Sequence, residues 1–232
     1  MAHLLGLDPS LAKSGYVVLD IANKGADTVE RGLLKTSRDD GILVQRLILQ
    51  SENVATLIAK HNIHHIGMEA PFFGGGSSEM LYALNQYLHR VFLETEVFVV
   101  CFPPQMLKKL VYPDRSVTGI KKAHMIHAAK TALGLQGKKL AEDVADAYWA
   151  GVFGRRYYRW QIEKSLPTNE LGEYEKHVFC GKHEYTKGEK SGSTDLTGIV
   201  YRENELFFDF KAIKRRSERG LQKDQEETEG KR

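Results

Sequence analysis

The chain has 232 residues, enough for one domain of ordinary size with a small appendage. Its 42% hydrophobic content is that of a globular protein, and no stretch reaches the roughly 18 apolar residues of a membrane span. The formal net charge is only +3, yet Lys108 to Lys139 carries eight basic residues against one acid, Asp114.

Met1 to Leu7 has neither a basic start nor a cleavage site, which speaks against a secretory signal. Leu4 to Asp8 reads as a buried strand ending in a carboxylate. Turn residues separate it from strands at Tyr16 to Ile21 and Thr28 to Lys35, the pattern of an antiparallel meander. Asp39-Asp40-Gly41 opens a long helix to His61, with Leu43, Leu47, Val54, Leu57 and Ile58 at helical spacing. Ile63 to Glu69 is a fourth strand, again ending in an acid. It should carry one of His64 and His65 inward and the other outward.

Gly74 to Ser78 leads into a helix marked by Leu81, Leu84, Leu88, Val91 and Phe92. Glu96 to Phe102 is a fifth strand, stopped by Pro103-Pro104. A short helix, a loop at Tyr112 to Gly119, a helix over Lys121 to Leu133 and another over Lys139 to Tyr158 follow. A meander followed by alternating helices and strands predicts the α/β class, with a mixed sheet flanked by helices. After Trp160 the composition turns to Gly, Lys, Glu, Ser and Thr. Val178-Phe179, Gly198 to Tyr201 and Glu205 to Phe210 then suggest a small β-rich appendage. The expected division is residues 1–158, an appendage over 159–219 and a disordered tail over 220–232. Cys101 and Cys180 are too few for a disulfide framework, which points to a reducing, cytoplasmic compartment.

Four acids stand out by position. Asp8 and Glu69 end strands, while Asp143 and Asp146 lie three apart on one helix face. Singly, each reads as a turn, cap or first-turn acid. Together they form a set that repels itself unless a divalent cation neutralises it. Hard oxygen donors imply magnesium or manganese, and two such ions suit attack of water on a phosphodiester. Glu142 competes as a ligand, since 142 and 146 also share a face.

These residues carry a resemblance. Gly6-Leu7-Asp8-Pro9-Ser10, continuing to Gly15-Tyr16, resembles the first motif of the RuvC family of Holliday-junction resolvases. Ile66-Gly67-Met68-Glu69 with Pro71-Phe72-Phe73 resembles the second. Val117-Thr118-Gly119 ahead of Lys121-Lys122 is similar to the basic loop-to-helix segment, and Asp143-Val144-Ala145-Asp146-Ala147 to the final metal-binding helix. The resemblance runs in order over about two-thirds of the chain. It implies a ribonuclease H-like fold, a homodimer, and magnesium-dependent paired nicking of four-way DNA junctions. It also implies metal binding by Asp8, Glu69, Asp143 and Asp146. Ser10 stands where the family usually has glycine.

Other residues follow from the same reading. Phe72 and Phe73 suit a wedge beside the site as well as core packing; Phe72 occupies the family's wedge position. Lys108, Lys121 and Lys122 are candidate phosphate contacts. Two cations at a helix start oppose the helix dipole and are easier to explain by a bound polyanion. The cluster Lys211, Lys214, Arg215, Arg216 and Arg219 fits a polyanion or a solvated face equally. His177, Cys180 and His183 lack a fourth ligand at normal spacing and read as a chance grouping. The helix at Ser77 to Glu94 carries more apolar surface than one face needs, which fits ordinary core packing; the resemblance implies a dimer contact there. Alternative functions are an ATPase of the actin and sugar-kinase type, disfavoured by Pro9 in the first turn, a ribosomal-RNA-processing nuclease of the same fold, and a non-catalytic DNA-binding protein, disfavoured by the intact set of acids.

Overall fold

The computed structural model describes residues 3–21, 28–70 and 78–179, and the backbone of four short strands between 184 and 207. The core is one five-stranded sheet in the order β3-β2-β1-β4-β5. Its strands are β1 (His3–Asp8), β2 (Lys13–Asp20), β3 (Thr28–Lys35), β4 (Ile63–Glu69) and β5 (Phe98–Phe102). The first three form the antiparallel meander; β4 lies parallel to β1, and β5 parallel to β4. Helices α1 (Leu43–His61) and α2 (Ser78–Glu94) are the crossovers that parallel pairing demands. Then come α3 (Pro104–Val111), α4 (Lys122–Ala132), α5 (Glu142–Gln161) and α6 (Glu173–Phe179).

Strand alternation divides the core into two faces. Leu5 and Leu7 of β1 and Ile66 and Met68 of β4 pack with Leu47, Val54, Leu84 and Leu88 of α1 and α2. Leu4, Val17 and Leu19 instead face α5 through Val144, Ala147 and Tyr148. Full burial of one such side chain contributes roughly 1.5–3 kcal/mol. Glycines bring α5 unusually near the sheet. A Cβ on Gly6 would stand 2.9 Å from Gly151 Cα, and one on Gly67 3.0 Å from Gly154 Cα. Backbone therefore meets backbone along β1 and β4.

The expected α/β class and mixed sheet are what the chain forms, and each expected strand of the sheet is present within a few residues. The last long helix begins at Glu142, not Lys139, and runs on to Gln161, so the expected boundary at residue 158 falls inside it. Val178 and Phe179, expected as a strand, belong to α6. Both are buried among Phe98, Phe102, Leu107 and Phe153, and two adjacent apolar residues carry no period that separates helix from strand. Beyond α6 the backbone forms two hairpins, β6 (Glu184–Lys187) with β7 (Lys190–Ser193) and β8 (Val200–Arg202) with β9 (Glu205–Phe207). Phe72, Phe73, Cys180, His183, the cluster from Lys211 to Arg219 and the tail lie outside the described residues, as does the side chain of His177.

Candidate active site

Register puts the first two acids side by side. Leu7 of β1 pairs with Met68 of β4, so the next residues, Asp8 and Glu69, end adjacent parallel strands. Asp8 has the same parity as Gly6, and Glu69 the same parity as Gly67. Both carboxylates therefore leave the sheet on the face that α5 covers. The first turn of α5 supplies Glu142 and Asp143 to that edge, and the next turn Asp146. Acids there suit the positive end of the helix, whose N-cap Ala141 offers no side-chain acceptor.

The electrostatics show how closely the groups sit. Burial, then the charges of Glu69, Asp146, Asp143 and Glu142, hold the Asp8 carboxyl well above the usual range. Burial and Asp146 push Glu69 up to about 8, opposed by Lys108 and Lys122. Burial and Glu142 raise Asp146 to about 6, against the pull of Lys122. Each shift means that the charged form lacks compensation where it stands. A cation held by oxygen ligands would supply it, and an all-carboxylate donor set fits a hard divalent ion. Among the described residues, no three acidic, His or Cys side chains converge closely enough to share one ion, as repulsion between like charges favours.

Beside the acids is a cavity of about 130 Å³ lined by Glu69, Lys108, Lys122, Glu142 and Asp146, with Pro104, Leu107 and Met125 as its apolar wall. Lys108 and Lys122 thus reach the site expected of them. Lys122 forms an ion pair with Glu142 there. Lys121 does not line the cavity; it caps α4 outside it, its exposed backbone N–H donating to His124 Nδ1 at 3.0 Å.

Two positioning residues were not singled out in the sequence. Gln50, 1% exposed on α1, donates through Nε2 to the carbonyls of Ser10 (3.1 Å) and Leu11 (3.2 Å). Ser14 donates to Ser10 O at 2.7 Å. Together they fix the turn that follows Asp8. Ser10 is not in the left-handed region, so the departure from glycine costs no backbone strain. A polar residue on the apolar stripe of α1 was the available sign for Gln50. His64 is exposed and His65 half-buried, the latter stacked on Tyr158 with ring centroids 3.5 Å apart. Neither is near the acids.

Comparisons with known proteins bear on the family and the fold. Residues 4–152 match the family described as crossover junction endodeoxyribonuclease RuvC. A relative of that description from Treponema denticola is 26% identical over 155 residues, covering 64% of this chain and 83% of its own. One from Chromohalobacter salexigens is 30% identical over 149 residues, covering 62% and 75%. The fold matches a solved structure of T. thermophilus RuvC in complex with Holliday junction substrate. There the TM-score is 0.58 at 16% identity, over 69% of this chain and 97% of that one. The chain belongs to the crossover junction endodeoxyribonuclease RuvC family.

Proposed function

We propose that this protein is a divalent-metal-dependent endonuclease that resolves four-way DNA junctions by paired nicking. The observation that carries the reading is that Asp8 and Glu69 at the ends of adjacent strands and Asp146 on α5 repel one another, their carboxyls raised by burial, with Lys108 and Lys122 on the cavity that Glu69 and Asp146 line. Family membership favours it over the actin-type ATPase reading.

Asp8, Glu69, Asp143 and Asp146 would divide two metal ions between them, Mg²⁺ with Mn²⁺ able to substitute. When bound these would supply activation of water and neutralisation of charge on the phosphodiester. The chain's own side chains do the rest. Lys108 and Lys122 place the scissile phosphate over the carboxylates, and the exposed Lys121 side chain at the start of α4 adds a contact to a flanking DNA phosphate. Phe72, three residues beyond Glu69, and Phe73 are placed by sequence to stack on bases at the junction centre, where stacking is already broken. Two nicks call for two sites, hence a homodimer. Exposed Met80, Tyr82 and Leu93 make α2 the proposed contact. No described helix is long and apolar enough to cross a membrane. The proposed setting is the cytoplasm of a bacterial or phage-infected cell.

The test is incubation with four-way, Y-shaped and linear duplex DNA, with and without magnesium or manganese. Paired, symmetric nicks in the four-way substrate, only with metal, are expected. Equal cutting of the linear duplex, or cutting in excess chelator, would overturn the reading.

A further inference from the structure

The family match ends at residue 152, yet the fold continues through residue 179. Leu166, Leu171, Val178 and Phe179 are buried in one cluster with Leu107 and Leu110 of α3. Arg156 of α5 closes this segment with a two-pronged contact to Glu175. Its Nη2 donates to Oε2 at 2.7 Å and to the carbonyl of Glu170 at 3.1 Å, and its Nε donates to Oε1. Glu175 is only 8% exposed, and its Oε2 also accepts the Gly172 N–H at 2.8 Å. A bidentate charge pair whose carboxylate is buried and whose guanidinium is half-buried fixes geometry.

Helix α3 has eight residues, too few to hold a helix by itself. Its position depends on what packs against it. Its two adjacent lysines are spent differently. Lys108 lines the cavity with Glu69 and Asp146. Lys109 donates to the carbonyls of Pro113 and of Arg115 (3.1 Å), and its ammonium stands 5.6 Å from the centre of the Tyr174 ring. An ammonium at that distance from a ring is attracted to it.

We propose that residues 162–179 are a strap that positions the catalytic cavity: Tyr174, held in place by the Arg156–Glu175 pair, fixes α3 through Lys109 so that Lys108 stays against Glu69 and Asp146. Tyr174 is a positioning residue here, acting through Lys108. The inference rests on reading the cavity as the cleavage site.

The experiment uses the full chain and a double-mutant cycle on four-way DNA with Mg²⁺. Tyr174→Ala is expected to lower the single-turnover cutting rate about tenfold while changing junction Kd less than about twofold. Tyr174→Phe, which keeps the ring, should restore the rate. In a Lys108→Ala background the Tyr174→Ala change should cost nothing further, because the group it positions is gone. Lys109→Met probes the same contact from α3 and should show the same non-additivity, which covers the case where Tyr174→Ala does not fold. Hydrogen exchange at the amides of residues 107–111 should speed up in Tyr174→Ala and Lys109→Met. Additive rate losses, or unchanged exchange in folded variants, would overturn the proposal. Failure of the unmodified protein to cut four-way DNA counts against the nuclease reading instead, and the exchange measurement still decides whether the strap holds α3.

Discussion

Gly15 lies directly beneath Asp143. It pairs with Asp8 across the first hairpin, and a Cβ on it would overlap the Asp143 carbonyl and stand 2.8 Å from Val144 N. One residue without a side chain therefore lets the carboxylate-bearing turn of α5 settle against the strand pair that carries Asp8. Gly15→Ala should push that turn outward. Overpacking of this kind costs about 1–3 kcal/mol, and a displacement near 1 Å can cost about 10²-fold in rate. A lowered Tm with a larger loss of cutting is expected; a variant that cuts normally would show that α5 is not seated by this contact.

The raised carboxyls of Asp8, Glu69 and Asp146 mean that the site spends stability on function. Asp146→Asn removes one of the mutually repelling charges. In chelator, its Tm should rise by a few degrees, about 4 °C or less per kcal/mol in a chain of this size. Cutting should fall to background while junction binding stays the same or tightens. Scanning calorimetry at increasing Mg²⁺ gives a second reading, because only the unaltered protein should gain Tm with added ion. Retained cutting by Asp146→Asn would remove this residue from the metal site.

Much of this was legible in the sequence. Strand ends at Asp8 and Glu69 follow from period-2 runs broken by turn residues, and the shared face of Asp143 and Asp146 from a spacing of three. Other features depend on contacts between segments distant in the chain. Gln50 is read as an ordinary polar residue until its three carbonyl partners, Ser10, Leu11 and Leu34, are brought to it by the meander. Leu107 and Met125 become cavity wall only because α3 and α4 come together in the fold. The segment from 162 to 179 shows no strong period and changes composition at Trp160, so it reads as an appendage. Its buried apolar residues Leu166, Leu171, Val178 and Phe179 are spaced five, seven and one apart, which marks no period for α6 in the sequence.

Glu30 on β3 gives a test of the fold apart from the site. Its carboxylate accepts from Lys60 Nζ (2.6 Å) and Tyr16 OH (2.8 Å) and contacts His61 Nε2 (2.8 Å), tying the meander to the end of α1. These bonds, led by that from Lys60, hold its carboxyl down to about 2 against an ordinary value of 4.5. A carboxylate lowered in the folded state adds stability above its unfolded pKa, and that stability is lost as pH falls through the folded value. Partial exposure keeps the contribution to about 1 kcal/mol. Glu30→Gln should melt below the unaltered protein by a constant margin above pH 5, and the margin should close between about pH 4.5 and 2. A margin independent of pH would assign the loss to packing.

The ion pair of Lys122 with Glu142 decides how charge is offered to DNA. Lys122 is three-quarters exposed, with a side-chain accessibility of 75%, and Glu142 has 35%, so the pair is weak in water and easily exchanged for a phosphate. Burial opposes the charged form of the acids behind it, whereas Lys122 favours it at both Glu69 and Asp146. Removing the lysine should therefore separate DNA binding from metal binding. Lys122→Ala should lower the log–log salt slope of junction binding by about 1, and should leave Mg²⁺ binding no weaker, because the charge it removes repels the ion. Glu142→Gln acts in the opposite sense. It frees Lys122 without removing Asp143 or Asp146, so affinity for every DNA shape should rise at low salt and cutting should persist. The two variants together separate the roles that spacing left open. If Glu142→Gln instead loses Mg²⁺ binding as completely as Asp146→Asn, then Glu142 is the helix ligand in place of Asp143, and Asp143→Asn should then leave cutting intact.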